Sequence, residues 1–204
     1  MVWLQQNKPP DFTPACSIIS ARMSDSKRPI DESYWVRLGQ LLAGEYPGHF
    51  DPEQARLRLD ALLEAGFDTF IDLTKHDEVY PYTTILREQA RAYDMNVQHY
   101  RFPIGDFGLP SAAQMMAILD QIDESVGAGR KVYLHCWGGI GRTGTTIGCY
   151  LVRQGLDGDS ALRQLAKWWQ EVPKSRIHPH SPETREQVNF VLEWARFENS
   201  RNEP

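Results

Sequence analysis

The apolar positions of this chain fall into short blocks whose spacing alternates between two periods, and that alternation predicts the order of its elements. Between residues 34 and 45 the cluster Trp35, Val36, Leu38, Leu41, Leu42 and Ala43 reads as short strands ending at the turn Tyr46-Pro47-Gly48. Asp51 followed by Pro52 marks a helix start, because a carboxylate accepts from the orphan amides of a first turn and proline's fixed φ suits the first helical position. Ala55, Leu59, Leu62 and Leu63 then recur on one face until Gly66 stops the run. Beyond it, strand-like and helix-like segments take turns: strand over 67–73, helix over 82–94, strand over 97–104, helix over 111–126 and strand over 131–136. Three helical patterns follow, over 142–154, 159–172 and 181–197. This rhythm predicts the α/β class, with a central, mostly parallel sheet flanked by helices.

Residues 1–30 carry Pro9, Pro10, Pro14 and Pro29 without sustained periodicity and are expected to form a loose arm, leaving 31–204 as a single domain. No apolar stretch approaches the ~18–20 residues of a membrane span, and the first residues lack a basic-then-apolar leader, so the expectation is a cytoplasmic protein without a membrane partner. With 22 Lys and Arg against 27 Asp and Glu, the net charge of -5 gives no global pull towards nucleic acid, so any anion site must be local. Cys16, Cys136 and Cys149 are too few and too irregular for a disulfide framework or a Cys-x-x-Cys zinc set, and no metal or cofactor is expected. Cys149 falls in a helical pattern and reads as a buried small apolar residue.

The informative stretch follows the strand at 132–134: His135-Cys136-Trp137-Gly138-Gly139-Ile140-Gly141-Arg142-Thr143-Gly144, with a helix starting near Arg142. A strand, a glycine-rich loop and a helix N-terminus together let successive N–H groups turn inward on an anion, so the backbone from Trp137 to Gly141 reads as a phosphate cradle. Cys136 at its mouth is placed to be a thiolate near neutral pH. Arg142 returns to the loop opening, where a planar guanidinium can hold two oxygens of one phosphoryl group. Thr143 can donate its hydroxyl to the sulfur and ease its later departure.

This pattern of His-Cys, five residues, Arg, then Thr resembles the active-site loop of the cysteine-dependent protein tyrosine phosphatase superfamily. The resemblance extends over about residues 35–197, although only 135–144 are highly specific. It implies a phosphatase-like fold, attack of Cys136 on phosphorus, oxyanion stabilisation by Arg142 and the loop amides, no metal, and a phosphorylated protein or small phosphomonoester as partner. The proton for the leaving group is then assigned to Asp106 in Phe102-Pro103-Ile104-Gly105-Asp106-Phe107-Gly108-Leu109-Pro110, where Gly105 and Gly108 can let the loop close. Asp72, at a strand end, is the rival acid but reads better as a loop-ordering carboxylate, while Asp77 and Glu78 read as a solvated pair. His135 is expected to orient the loop rather than act as a base.

Ser181 and Pro182 are expected to cap the last helix, whose Gln187 resembles the glutamine that the family uses to place hydrolytic water; an exposed surface glutamine stands as the alternative. His178 and His180, near Arg176, make a small basic patch that reads better as loop lining than as a contact for an acidic substrate, and Trp137 has its side chain beneath the loop or at its rim. The sequence lacks Trp-Pro-Asp and the Lys-Asn-Arg-Tyr pattern of tyrosine-specific members, so it resembles the dual-specificity branch, with phosphotyrosine, and some phosphoserine or phosphothreonine, as expected substrate. An inositol phosphate or phosphoinositide phosphatase, a rhodanese-like sulfurtransferase and a non-catalytic phosphopeptide-binding module stay open.

Overall fold

The sheet is built from blocks of four or five residues whose side chains alternate between its two faces. The computed structural model describes residues 27–201. Its strands are β1 (Ser33–Arg37), β2 (Leu41–Gly44), β3 (Thr69–Asp72), β4 (Gln98–Arg101) and β5 (Val132–His135). They lie in the order β1-β2-β5-β3-β4, with β1 antiparallel to β2 and every other pair parallel. Both faces are covered. Leu42, Phe70 and Tyr133 point into a core shared with α1 (Pro52–Glu64) and α2 (Thr83–Ala92). Leu41, Ala43, Ile71, Val132 and Leu134 point the other way, against α3 (Ala112–Gly127), α4 (Gly141–Arg153), α5 (Gly158–Gln170) and α6 (Arg185–Arg201). Each fully buried Leu, Ile or Phe contributes roughly 1.5–3 kcal/mol through removal of apolar surface from water, so the central strands and α4 are the stable platform of the molecule.

The predicted elements recur with shifted ends. Asp51 caps α1 by accepting from Glu53 N, and Pro52 opens that helix. Ser111 caps α3 and Asp157 caps α5, through Gln114 N and Ser160 N. The last helix departs from expectation: it starts at Arg185, and Ser181, joined to Pro182 by a cis peptide, is not its cap. Thr184 Oγ1 accepts from Gln187 N instead, and the Ser181 hydroxyl is given to Ile140 O of the loop after β5. The arm expected over 1–30 lies, for residues 1–26, outside the described residues, as does Cys16. Within it, Arg28 donates to Ser33 O and Glu171 O, and Ile30 is buried, so this end of the segment is part of the domain.

Parallel pairing sets the site. The register aligns Gly44, His135, Asp72 and Arg101 in one row across the carboxyl edge of β2, β5, β3 and β4. The loops leaving these strands gather on that edge, which is where open α/β sheets present ligand-binding crevices.

Candidate active site

Between β5 and α4 the chain turns its amides inward because its carbonyls are tied outward, one after another. Cys136 O lies 3.1 Å from His135 Nδ1, Trp137 O accepts from Tyr46 N at 2.9 Å, Gly138 O from Lys174 Nζ at 3.2 Å, and Ile140 O from Ser181 Oγ at 2.9 Å. A trans peptide whose C=O is fixed outward presents its N–H to the inside. The Gly139 N–H accordingly points to the Cys136 sulfur at 3.3 Å. Gly139 has φ +75°, and a Cβ there would lie 2.7 Å from the carbonyl carbon of Gly44, so both the turn and the contact with β2 require glycine. Cys136 is buried at the floor of a cleft of about 420 Å³.

His135 fixes the start of the loop. Its Nε2 lies 2.8 Å from the Tyr82 hydroxyl, and the acceptor at Cys136 O assigns the neutral tautomer with the proton on Nδ1. Burial holds the imidazole at about 4, against the opposing pull of the Asp72 carboxylate, so it is neutral near pH 7 and serves to orient rather than to take a proton. Asp72 is fully buried and accepts from Thr74 N and Oγ1 at 2.8 and 2.6 Å and from Arg101 Nη2 at 2.8 Å. Burial alone would raise its pKa, but His135, His99 and Thr74 outweigh it and keep the carboxyl well below the usual range. With His135 uncharged, the Thr74 donors and the Arg101 guanidinium sustain that preference at neutral pH. A carboxylate so satisfied orders the β3 end of the site and is no proton donor, in line with the loop-ordering reading of Asp72.

Arg142 is the corner where three loops meet. Its Nη1 donates to Glu78 Oε2 at 2.7 Å and to Ile104 O at 3.1 Å, and its Nη2 to Glu78 Oε1 at 2.5 Å and Asp106 Oδ1 at 3.0 Å. The four terminal N–H bonds of the fork are therefore in use, so a phosphate that takes Nε–H together with one of them must displace the partner of that one. Glu78 is gripped by both prongs with its side chain 18% exposed, whereas Asp106 makes one contact and is 50% exposed. Asp106 is the group that can leave. The solvated reading of Glu78 is thus corrected: it is the partner that orients Arg142, and the Arg142 contact keeps it charged against the opposing effect of burial. Asp77 is exposed.

The remaining residues divide. Gln187 is fully buried, so the exposed alternative falls; its Oε1 accepts from Glu183 N and Thr184 N, and its Nε2 donates to Gly108 O on the Asp106 loop. It also packs on Gly141, where a Cβ would come within 2.8 Å of its amide. Thr143 is buried, but its hydroxyl has no hydrogen-bond partner, so the expected bond to the Cys136 sulfur is not formed. The Trp137 side chain stands at the rim, 61% exposed, and Phe107 beside Asp106 is 58% exposed in the left-handed region at φ +55°. Both line the cleft with Lys174, Glu45 and His178. Arg176 and His180 are exposed. Cys149 is buried, and burial pushes its thiol well above the ordinary range, so it is not a second nucleophile.

Sequence reasoning missed Glu78, Lys174 and Tyr82. An available signal for Glu78 was its position just past β3, on the edge where the loop arginine needs an anion; nothing local marks Lys174, which arrives from the short 3-10 helix Pro173–Arg176. Among the described residues no group of three or more His, Cys, Asp and Glu is placed to hold a metal ion, and no helix is long and apolar enough to cross a membrane.

A family model described as "Polymorphic toxin system, DSP-PTPase phosphatase" matches residues 46–156, more than half of the chain. An uncharacterized protein of Methanocaldococcus jannaschii is 33% identical over 103 residues, covering 50% of this chain and 63% of that protein. The human dual specificity protein phosphatase CDC14C is 33% identical over 104 residues, covering 46% of this chain and 22% of its own length. The chain thus spans less than two thirds of these relatives. Among solved structures, Tk-PTP in its active form is similar with a TM-score of 0.60 and 27% identity, covering 81% of this chain and 97% of that one. PTPMT1 in complex with PI(5)P shares the fold, with a TM-score of 0.60 at 16% identity, covering 81% and 96%. The loop from Cys136 to Arg142, the sheet that carries it and these matches place the chain in the DSP-PTPase phosphatase family, within the cysteine-based protein tyrosine and dual-specificity phosphatase superfamily.

Proposed function

We propose that the chain hydrolyses phosphate monoesters of proteins, phosphotyrosine first and phosphoserine or phosphothreonine more slowly, through a phosphocysteine. The observation that carries this reading is the convergence of the Cys136 sulfur, an inward amide at Gly139 and the Arg142 fork on one cleft, with Asp106 in contact with that fork. In the first step the sulfur attacks phosphorus in line, the P–O bond to the leaving group breaks, and Asp106 supplies the proton that the leaving oxygen takes. The arriving phosphate dianion competes with Asp106 for Arg142, so binding frees the carboxylate, which takes a proton from water and gives that proton to the leaving oxygen. In the second step water attacks the phosphocysteine, Asp106 takes its proton, and the thiolate leaves with inorganic phosphate as product.

The rim supports an aryl leaving group. Trp137 and Phe107 are large, exposed and line the opening above Cys136, and the left-handed backbone of Phe107 is strain of the kind kept at functional sites, on the order of 1–3 kcal/mol. The name of the human relative, a dual specificity protein phosphatase, agrees with this substrate class. A free nucleophilic thiol also calls for a reducing compartment such as the cytoplasm. The test compares kcat/KM, in chelator and thiol reductant, for a phosphotyrosine peptide, its phosphoserine counterpart and a short-chain phosphoinositide. The expected order is phosphotyrosine, then phosphoserine, then lipid; a phosphoinositide turned over faster than both peptides would overturn the substrate class and leave the chemistry intact.

A further inference from the structure

One peptide unit carries two opposed contacts. The carbonyl of Gly138 accepts from Lys174 Nζ at 3.2 Å on the outside of the loop, and the amide of the same unit, Gly139 N–H, donates to the Cys136 sulfur at 3.3 Å on the inside. The two ends of a trans peptide point in opposite directions, so fixing one fixes the other. Glycine on both sides makes this the unit of the loop freest to flip, because neither neighbour has a Cβ to oppose the rotation. A flip would take the N–H away from the sulfur and turn a carbonyl oxygen, with its partial negative charge, towards that sulfur and an incoming phosphate.

Lys174 is itself held. Its Nζ lies 2.7 Å from Glu45 Oε2, the other oxygen of Glu45 lies 2.8 Å from Arg58 Nη1, and the backbone of Gly44 and Glu45 lies against Gly139. The Gly138–Gly139 unit is therefore clasped between the start of the β2–α1 loop and the ammonium from the 3-10 helix. An ammonium on the carbonyl also polarises the peptide and strengthens its N–H as a donor.

We propose that Lys174 is a positioning residue for the nucleophile: held by Glu45, it locks the Gly138–Gly139 peptide with its amide towards the Cys136 sulfur and the phosphate site. This role rests on the reading of the loop as a phosphate cradle. It is tested by two measurements that need no turnover: the rate at which iodoacetamide alkylates Cys136 at neutral pH, and the affinity for tungstate by calorimetry.

Lys174→Met is expected to slow alkylation and weaken tungstate binding, each about ten-fold. Lys174→Arg, which keeps a charged donor, is expected to recover most of both, with melting temperatures of the two variants within a few degrees of each other. Glu45→Gln, which loosens the lysine without removing it, is expected to lose part of both and serves if Lys174→Met does not fold. Wild-type alkylation and tungstate affinity in Lys174→Met would overturn the proposal, as would losses that Lys174→Arg does not relieve. A change confined to KM for phosphopeptides would overturn it in favour of direct substrate contact. A wild-type protein that binds no tungstate would overturn the cradle reading itself, and the role of Lys174 with it.

Discussion

Arg142 and Glu78 face each other fork to fork, with Nη1–Oε2 at 2.7 Å and Nη2–Oε1 at 2.5 Å, and this pairing sets the edge of the guanidinium that a phosphate meets. Charged hydrogen bonds of this kind contribute about 1.5–3 kcal/mol each when one partner is removed, and the loss here falls on an arginine that is nearly buried. Glu78→Ala is expected to lower kcat/KM about 10- to 100-fold and to weaken tungstate binding, because the freed fork swings to other carboxylates. Glu78→Gln, which keeps one acceptor, is expected to lie between. Steady-state kinetics and calorimetry on the two variants check this, and unchanged tungstate affinity in Glu78→Ala would contradict it.

Asp106 holds an Arg142 donor that, in the mechanism proposed, the substrate takes over. Asp106→Ala is expected to lower turnover of a phosphotyrosine peptide about 10²–10⁴-fold, the usual contribution of a positioned acid. Its affinity for tungstate should equal or exceed that of the wild type, since Arg142 no longer has to give up the Oδ1 contact at 3.0 Å. Weaker tungstate binding in this variant would show that Asp106 builds the site instead of acting in it.

Acid should unfold the domain through His135 and Asp72. Burial keeps His135 at about 4 in the folded protein, below its ordinary 6.5, so the unfolded chain binds the proton more readily between those values. Stability is therefore fully present above the unfolded value and is lost as pH falls through the window from 6.5 towards 4, by roughly 3 kcal/mol from this residue. Asp72 has the same sign: its carboxyl is held below the usual range, so its contribution is present above that range and is lost at still lower pH. Urea denaturation at pH 7 and at pH 5 is expected to show a lower midpoint at pH 5, and equal midpoints would contradict the neutral, buried His135.

Gln187 joins three parts of the site through its buried amide. Replacing it with Leu leaves Glu183 N, Thr184 N and Gly108 O without their partner, at a cost of about 1–3 kcal/mol for each group that water cannot reach. Gln187→Leu is expected to lower the melting temperature by several degrees and to reduce turnover by loosening the Asp106 loop, as thermal denaturation and kinetics would show. A variant with full stability would contradict the contacts assigned to Gln187.

Much of this was legible in the chain. Residues 136–142 announced an anion-binding loop because a cysteine, three glycines and an arginine stand at one strand-to-helix turn, and Asp51-Pro52 announced α1 because capping is local. What escaped depends on distance along the chain. Glu78 finds Arg142 only because parallel pairing sets β3 beside β5, and Lys174 reaches Gly138 only after α5 has carried it back across the sheet. Ser181 shows the opposite failure: its side chain has the chemistry of a cap, yet the helix starts only at Arg185 with Thr184 accepting from Gln187 N, and the Ser181 hydroxyl donates to a carbonyl of the loop after β5 at 2.9 Å. The arrangement also leaves the Thr143 hydroxyl buried and unpartnered, which no local pattern foretells.

In the proposed mechanism Cys136 becomes phosphorylated. Quenching the enzyme in acid during turnover of a phosphotyrosine peptide, without added metal, and locating phosphate by mass spectrometry of the peptide that carries Cys136 decides the matter. A phosphate adduct is expected on Cys136 in the wild type and none in Cys136→Ser. Turnover of the substrate by Cys136→Ser at the wild-type rate, with no adduct in either protein, would contradict it.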